Sequence, residues 1–217
     1  SSQDLINGVN LSVSVANGIN CPTVSETINV TFEENVFVSA GDDGIICEND
    51  TFLITNANTT ASNFTWSSSG DGTFINETTL SPIYNPGPLD INSGSPIVIT
   101  LEAENSNACP GNTSDSLLLN ITREATSNAG PATDTICAGD IYILNGVVGN
   151  SISEEWITSG DGLFGNIGNP STTYTPGPND LVNGLVTLSL QAVGDAPCNN
   201  LAVSSIELFI NGEITVF

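Results

Sequence analysis

The side chains with chemistry to offer are five cysteines and a set of recurrent aspartates, in a chain of 217 residues that has no histidine and a single Arg or Lys, Arg123. Without histidine there is no Ser-His or Cys-His pair, so the usual activation of a nucleophile is excluded. The aspartates recur in pairs about 90 residues apart: Asp50 with Asp140, Asp71 with Asp161, and Asp90 with Asp180. A glycosidase would gather two carboxylates in one cleft, whereas these stand beside Gly, Pro or Asn, where aspartate builds turns. Asp71, Asp161, Asp90 and Asp180 therefore read as turn residues, and the chain as non-enzymatic with no catalytic or cofactor-binding set. Structural calcium is a secondary reading, because oxygen ligands are plentiful. Yet GDDG at 41–44 becomes GPAT at 130–133, and no D-x-D-x-D-G loop occurs.

The elements that must hold these residues repeat as well. WSSSGDGTF (66–74) returns as WITSGDGLF (156–164), and YNPGPLDINSG (84–94) as YTPGPNDLVNG (174–184). Recurrence at a fixed period marks a tandem array. The division is 1–34, the C-terminal strands of a preceding repeat; 35–124 and 125–213, two complete repeats; and 214–217, the start of another. In IVITLEA, Ile97, Ile99, Leu101 and Ala103 share one face. Val186, Leu188, Leu190 and Ala192 match them, as do Val9, Leu11, Val13 and Val15 in the partial repeat. Alternation with a period of two is the pattern of a half-buried strand. Short strands between Gly, Pro, Asn and Asp clusters, about seven per unit, predict an all-β fold of tandem immunoglobulin-like β-sandwiches. Trp66, Trp156, Tyr84 and Tyr174 are the expected core aromatics. Gly-Asp-Gly is expected to form a tight hairpin turn, its glycines tolerating positive φ, and NDLVNG with its counterpart a single helical turn.

W-x-x-S-G-D-G followed by Tyr, Pro-Gly and an alternating strand resembles the PKD domain, an immunoglobulin-like sandwich of surface and secreted proteins. The longer combination of ICAGD, W-x-x-S-G-D-G-x-F, Y-T-P-G-P-N-D and a late cysteine resembles repeats of the SprB-type gliding-motility adhesins of Bacteroidetes. That resemblance implies type IX secretion, an outer-surface, outer-membrane-associated location, and partners in the gliding and secretion machinery and in surface polysaccharide. The alternatives are accessory carbohydrate-binding or spacer domains of a secreted hydrolase, and a calcium-stiffened adhesin.

Cysteines recurring without histidine and without C-x-x-C spacing read as disulfides of an oxidising compartment. Pairing within a repeat would join Cys47 to Cys109 and Cys137 to Cys198. Strand order favours a different map. Cys47 lies between the first two strands, at the pole where the chain leaves a unit, and Cys109 between the last two, at the opposite pole. A strand length of about 17–20 Å would separate them, whereas a disulfide tolerates about 4.4–6.8 Å between Cα atoms. The leaving pole of one unit faces the next, which brings Cys47 to Cys198. Cys21, Cys109 and Cys137 are then expected to have partners in repeats outside this segment. The within-repeat map stays open as the alternative.

Net charge bounds the partners. With 24 acidic residues and a formal charge of −23, the chain lacks the clustered cations that neutralise phosphate, so nucleic acid is excluded. No apolar run approaches the roughly 18 residues of a membrane helix, so no insertion by this segment is expected. Neighbouring repeats are the partners expected first.

Overall fold

The computed structural model describes residues 8–16, 18, 22–33, 36–105 and 110–212. The chain begins with a hairpin of β1 (Val9–Val15) and β2 (Val24–Val30). There follow β3 (Val38–Ser39), β4 (Gly44–Cys47), β5 (Phe52–Leu53), β6 (Asn58–Thr59), β7 (Phe64–Ser68), β8 (Thr73–Ile75), β9 (Ile83–Asn85), helix α1 (Pro88–Ser93), β10 (Ile97–Glu104) and β11 (Asn112–Thr122). The series then repeats as β12 (Thr126–Asn128), β13 (Thr133–Cys137), β14 (Tyr142–Asn145), β15 (Val147–Gly149), β16 (Ser151–Thr158), β17 (Leu163–Phe164), β18 (Ser171–Thr175), helix α2 (Pro178–Asn183), β19 (Leu185–Gly194) and β20 (Leu201–Asn211).

Two β-sandwich cores result. One face of the first is the sheet β4-β11-β10-β7 and of the second β13-β20-β19-β16. Smaller sheets, β5-β9-β8 with β3-β6 and β14-β18-β17 with β12-β15, supply the opposing strands. In each large sheet the early strand runs parallel to the last one, β4 to β11 and β13 to β20, while the other pairs are antiparallel.

The alternating residues account for the packing. Val186, Leu188 and Leu190 of β19, with Ile206, Leu208 and Ile210 of β20, are buried in one cluster with Trp156, Tyr142, Leu144 and Tyr174, and Ala192 on the same face of β19 is buried too. Ile97, Ile99 and Leu101, with Leu117 and Leu119, do the same around Trp66 and Tyr84. Each such side chain contributes about 1.5–3 kcal/mol on leaving water. Phe74 and Phe164 complete the aromatic stacks, with centroids 5.0 Å from Tyr84 and Tyr174 respectively.

The structure corrects four expectations. Cys47 is not in a loop but ends β4, a strand that the preceding GDDG disguises as a turn; β6 is likewise additional to the seven strands expected. The strand around Tyr84 begins at Ile83 rather than Ser81. The alternating residues of the partial repeat form a ladder but no core: Leu11, Val13, Val15 and Ile28 are exposed, because no second sheet covers the hairpin among the described residues. Gly-Asp-Gly closes no hairpin, because the strands on either side of it belong to different sheets, β7 pairing with β10 and β8 with β9, and β16 with β19 and β17 with β18; nor are its glycines, at 70, 72, 160 and 162, among those at positive φ. Space is the reason for them instead. A Cβ on Gly70 would sit 1.6 Å from Asp90 Oδ1, and one on Gly162 2.4 Å from the Tyr174 hydroxyl.

Candidate functional site

Two constellations gather the residues singled out in the sequence. The first sits where the Gly-Asp-Gly turn meets the short helix. Asp180 is buried, and its Oδ2 accepts hydrogen bonds from the Tyr174 hydroxyl at 2.6 Å, the Gly177 amide at 2.9 Å and the Gly162 amide at 3.0 Å. Oδ1 accepts from the Asp161 amide at 3.2 Å. Asp161 reciprocates by accepting from the amides of Asn179 and Asp180 at the start of α2. The first unit repeats the arrangement: Asp90 accepts from Tyr84, Gly87, Asp71 and Gly72, and Asp71 from Leu89 and Asp90.

An aspartate at the third position of a helix, reaching back to the amide that precedes it, satisfies donors that helix geometry leaves orphaned. Here the same carboxylate also holds the Gly-Asp-Gly turn about eighteen residues away, where the chain passes from the large sheet to the small one. Burial opposes the charge on Asp180, but the Tyr174 hydroxyl and the three amides outweigh it and hold its carboxyl below the usual range. Burial, with Asp180 adding to it, pushes the Tyr174 phenol up to about 12, and Tyr84 likewise with Asp90. A carboxylate occupied by four donors is fixed in place and has no role left as a proton shuttle. Asp71 and Asp161 sit in the Gly-Asp-Gly turns, whereas Asp90 and Asp180 are not turn residues: they stand in the short helices and hold those turns through their carboxylates. The signal that marks them is Asp90 and Asp180 standing six residues after Tyr84 and Tyr174, where a carboxyl can reach the phenol.

The second constellation is the joint between the two sandwiches. Cys47 and Cys198 form a disulfide with Cα atoms 4.8 Å apart, across a sequence separation of 151. Neither within-repeat pair forms, since these two cysteines are bonded to each other. The strand directions bring them together: β4 and β11 are parallel and end side by side, with Cys47 opposite Thr122. Cys198 lies in the loop between β19 and β20, which turns back toward that end. Around the bond, Glu48 Oε1 accepts from the Glu124 amide at 3.0 Å, its Oε2 lies 3.4 Å from Arg123 Nε, and Thr122 Oγ1 donates to the Ala196 carbonyl at 3.3 Å. Asn200 clamps Ala125 by accepting from its amide at 2.8 Å and donating to its carbonyl at 3.0 Å. The linker is thus tied to both units within three residues. The Arg123–Glu48 pair is half exposed and adds little.

Cys137 ends β13 opposite Asn211 as Cys47 ends β4 opposite Thr122, and the surrounding backbone bonds match: Ala138 N to Asn211 O at 2.8 Å, against Glu48 N to Thr122 O at 2.9 Å. Its thiol is free and exposed. Cys21 and Cys109 lie outside the described residues. Among the described residues no group of three or more His, Cys, Asp or Glu is placed to hold a metal ion, and no helix is long and apolar enough to cross a membrane. A groove of about 430 Å³ beside β7 carries one carboxylate, Glu77, with Phe64 and Trp66 on its wall.

No family model matches the chain, and no curated protein does. Solved structures do. The two-domain DIP-gamma IG1+IG2 superposes with a TM-score of 0.52 at 6% identity, over 83% of this chain and 99% of that one. Drosophila N-cadherin EC1-4 gives 0.51 at 12% identity, over 94% of this chain and 58% of that one. Protocadherin GammaB4's extracellular domain gives 0.50 at 12%, over 95% and 38%. The fold is that of immunoglobulin-like and cadherin-like β-sandwiches. At such identities the likeness extends to the fold alone.

Proposed function

We propose that the chain is a stalk segment of a large cell-surface adhesin, a tandem array of immunoglobulin-like repeats that extends an adhesive region away from the cell and carries force to it. The observation that supports this best is the Cys47–Cys198 bond, which joins one sandwich to the next rather than closing either of them. A domain that works alone gains nothing from such a bond; a strut gains a second covalent connection at each joint. The matching position of Cys137 extends the scheme: it pairs with the counterpart of Cys198 in a following repeat, while Cys21 and Cys109 pair with repeats before them. Disulfides at these positions fit an oxidising compartment, of which the cell exterior is one.

The repeated W-x-x-S-G-D-G, Pro-Gly-Pro and late-cysteine motifs narrow the proposal to adhesins of the gliding-motility type, exported by type IX secretion and attached at the outer membrane. Neighbouring repeats are then the immediate partners of this segment, and surface polysaccharide a partner of the whole adhesin. The fold relatives include extracellular domains of adhesion proteins, which is compatible with this role.

The test uses cells that make the full protein. Antibodies against residues 36–212 are expected to label intact cells without permeabilisation, and in-frame removal of one repeat to leave adhesion in place while shortening reach. Label that appears only after permeabilisation would refute the surface location. Loss of adhesion on removing a single repeat would assign the ligand site to the repeats and refute the stalk role.

A further inference from the structure

We propose that the inter-unit disulfide makes this segment an inextensible load line, in which tension runs along two short covalent stretches and bypasses most of both sandwiches. The inference deepens the stalk reading and rests on it for its purpose, though not for its mechanics.

The argument starts from where the bonded residues sit on their strands. Without the bond, a pull along the chain enters the second unit ahead of β12 and leaves it after Asn211. β13 and β20 are parallel, with five register pairs from Thr133–Glu207 to Cys137–Asn211. Tension would therefore shear these two strands apart, and only non-covalent contacts would resist. The first unit is built alike, with β4 parallel to β11.

The bond changes the path. Cys47 is the last residue of β4, and Cys198 stands just ahead of β20, the strand that crosses the second unit from the joint to its far end. Tension can pass along β4, through the disulfide, and along β20. From Val38 to Asn211 this route takes about 22 residue-to-residue steps, against about 173 along the backbone, a count that follows from the strand limits and the bond.

Most of the short route is already straight. A β-strand rises about 3.2–3.4 Å per residue, close to the roughly 3.3–3.6 Å at which the chain is fully extended. Little slack remains to be drawn out. The residues between Cys47 and Cys198, which include both tryptophans, both short helices and both Asp-Tyr clamps, form a closed loop on which tension does not fall. The bond conceals its sequence separation of 151 residues from the extensible contour, roughly 500 Å at about 3.5 Å per residue. If Cys137 is bonded to a following repeat, the scheme propagates. Load would alternate between an early strand ending in a Cys47-type residue and a last strand beginning after a Cys198-type residue.

Single-molecule force extension tests this on the full chain, held by tags fused to its two termini, with the Cys47–Cys198 bond verified by mass in the same preparation. Opening of the β1–β2 hairpin is common to all traces. Beyond it, the bonded chain is expected to show no step longer than about 50 Å, a few residues' slack at about 3.5 Å each. The same chain after reduction, and the Cys198→Ser variant, are expected to show two sandwich steps and a total contour longer by roughly 500 Å. Steps of about 100 Å or more in the verified bonded chain would mean that the short route is slack and would overturn the proposal. So would a reduced chain with the same contour as the bonded one. The stalk reading stands or falls separately, on surface labelling and repeat removal, so a force trace can fail while the labelling succeeds, and the reverse.

Discussion

Replacing Asp180 by Asn keeps the shape of the side chain and removes its charge, which isolates what the buried carboxylate does. The amide oxygen can take the place of Oδ2 and keep the Tyr174, Gly162 and Gly177 donors. Its NH₂ then faces the Asp161 amide, donor against donor. An unsatisfied buried donor costs about 1–3 kcal/mol, and each of the three surviving bonds weakens by about 1 kcal/mol on losing its charge. Relief from burying a charge offsets part of that. The net expectation is a loss of roughly 3–4 kcal/mol, a large share of the roughly 5–10 kcal/mol that holds a domain of this size together. Urea denaturation followed by tryptophan fluorescence reads it directly, since Trp156 reports the second core and Trp66 the first. With a slope of about 1–1.5 kcal/mol per molar, the Trp156 transition should move down by about 2–4 M while the Trp66 transition stays near its place. A shift worth less than about 1 kcal/mol, or equal movement of both transitions, would refute the assignment of Asp180 as the pin of its own unit.

Other consequences are as direct. Gly162→Ala places a Cβ against the Tyr174 hydroxyl and the Thr175 carbonyl, at 2.4 and 2.5 Å, so the second unit should lose at least about 2 kcal/mol by the same urea measurement. The carboxyl of Asp180 is depressed in the folded chain, so the unfolded chain binds its proton first; the stability it confers is present above the ordinary carboxylate pKa, near about 4, and is lost as pH falls through the lower folded value. The difference in stability between the native chain and Asp180→Asn should accordingly shrink below about pH 4. Tyr84, Tyr142 and Tyr174 are all raised to about 12, so the stability they confer is complete below about pH 10 and lost as pH climbs through 12. Absorbance titration of the folded protein should find no phenol ionising near about 10, and denaturant should bring all three there.

Much of the fold is legible in the sequence because strands that face a core on one side must alternate. Ile97 to Ala103 and Val186 to Ala192 announce their buried faces without ambiguity. The joint is legible for a related reason: alternating strand directions favour Cys47 with Cys198 over a pairing within the repeat, and the bond forms between Cys47 and Cys198. β4 is not legible, because four residues behind two aspartates and a glycine look like the end of a turn, and its pairing with β11 is a parallel contact that no local pattern encodes. The role of Asp90 and Asp180 was hidden more deeply. Beside Gly and Pro an aspartate looks like a turn former, and only the fold brings the Gly-Asp-Gly amides and the tyrosine hydroxyl onto one carboxylate. The glycines of that turn carry the same lesson. Their absent Cβ atoms leave the room in which the carboxylate sits.

The central claim is that a covalent bond spans the joint, and the single arginine makes it directly measurable, because Arg123 lies in the linker between the two sandwiches and is the chain's one tryptic site. The protein is alkylated to block free thiols, denatured, cleaved with trypsin, and run on gels with and without reductant. The two fragments should migrate as one species until reductant is added, and then separate. Fragments that part without reductant would place the bonds inside the repeats or nowhere, and would contradict the strut.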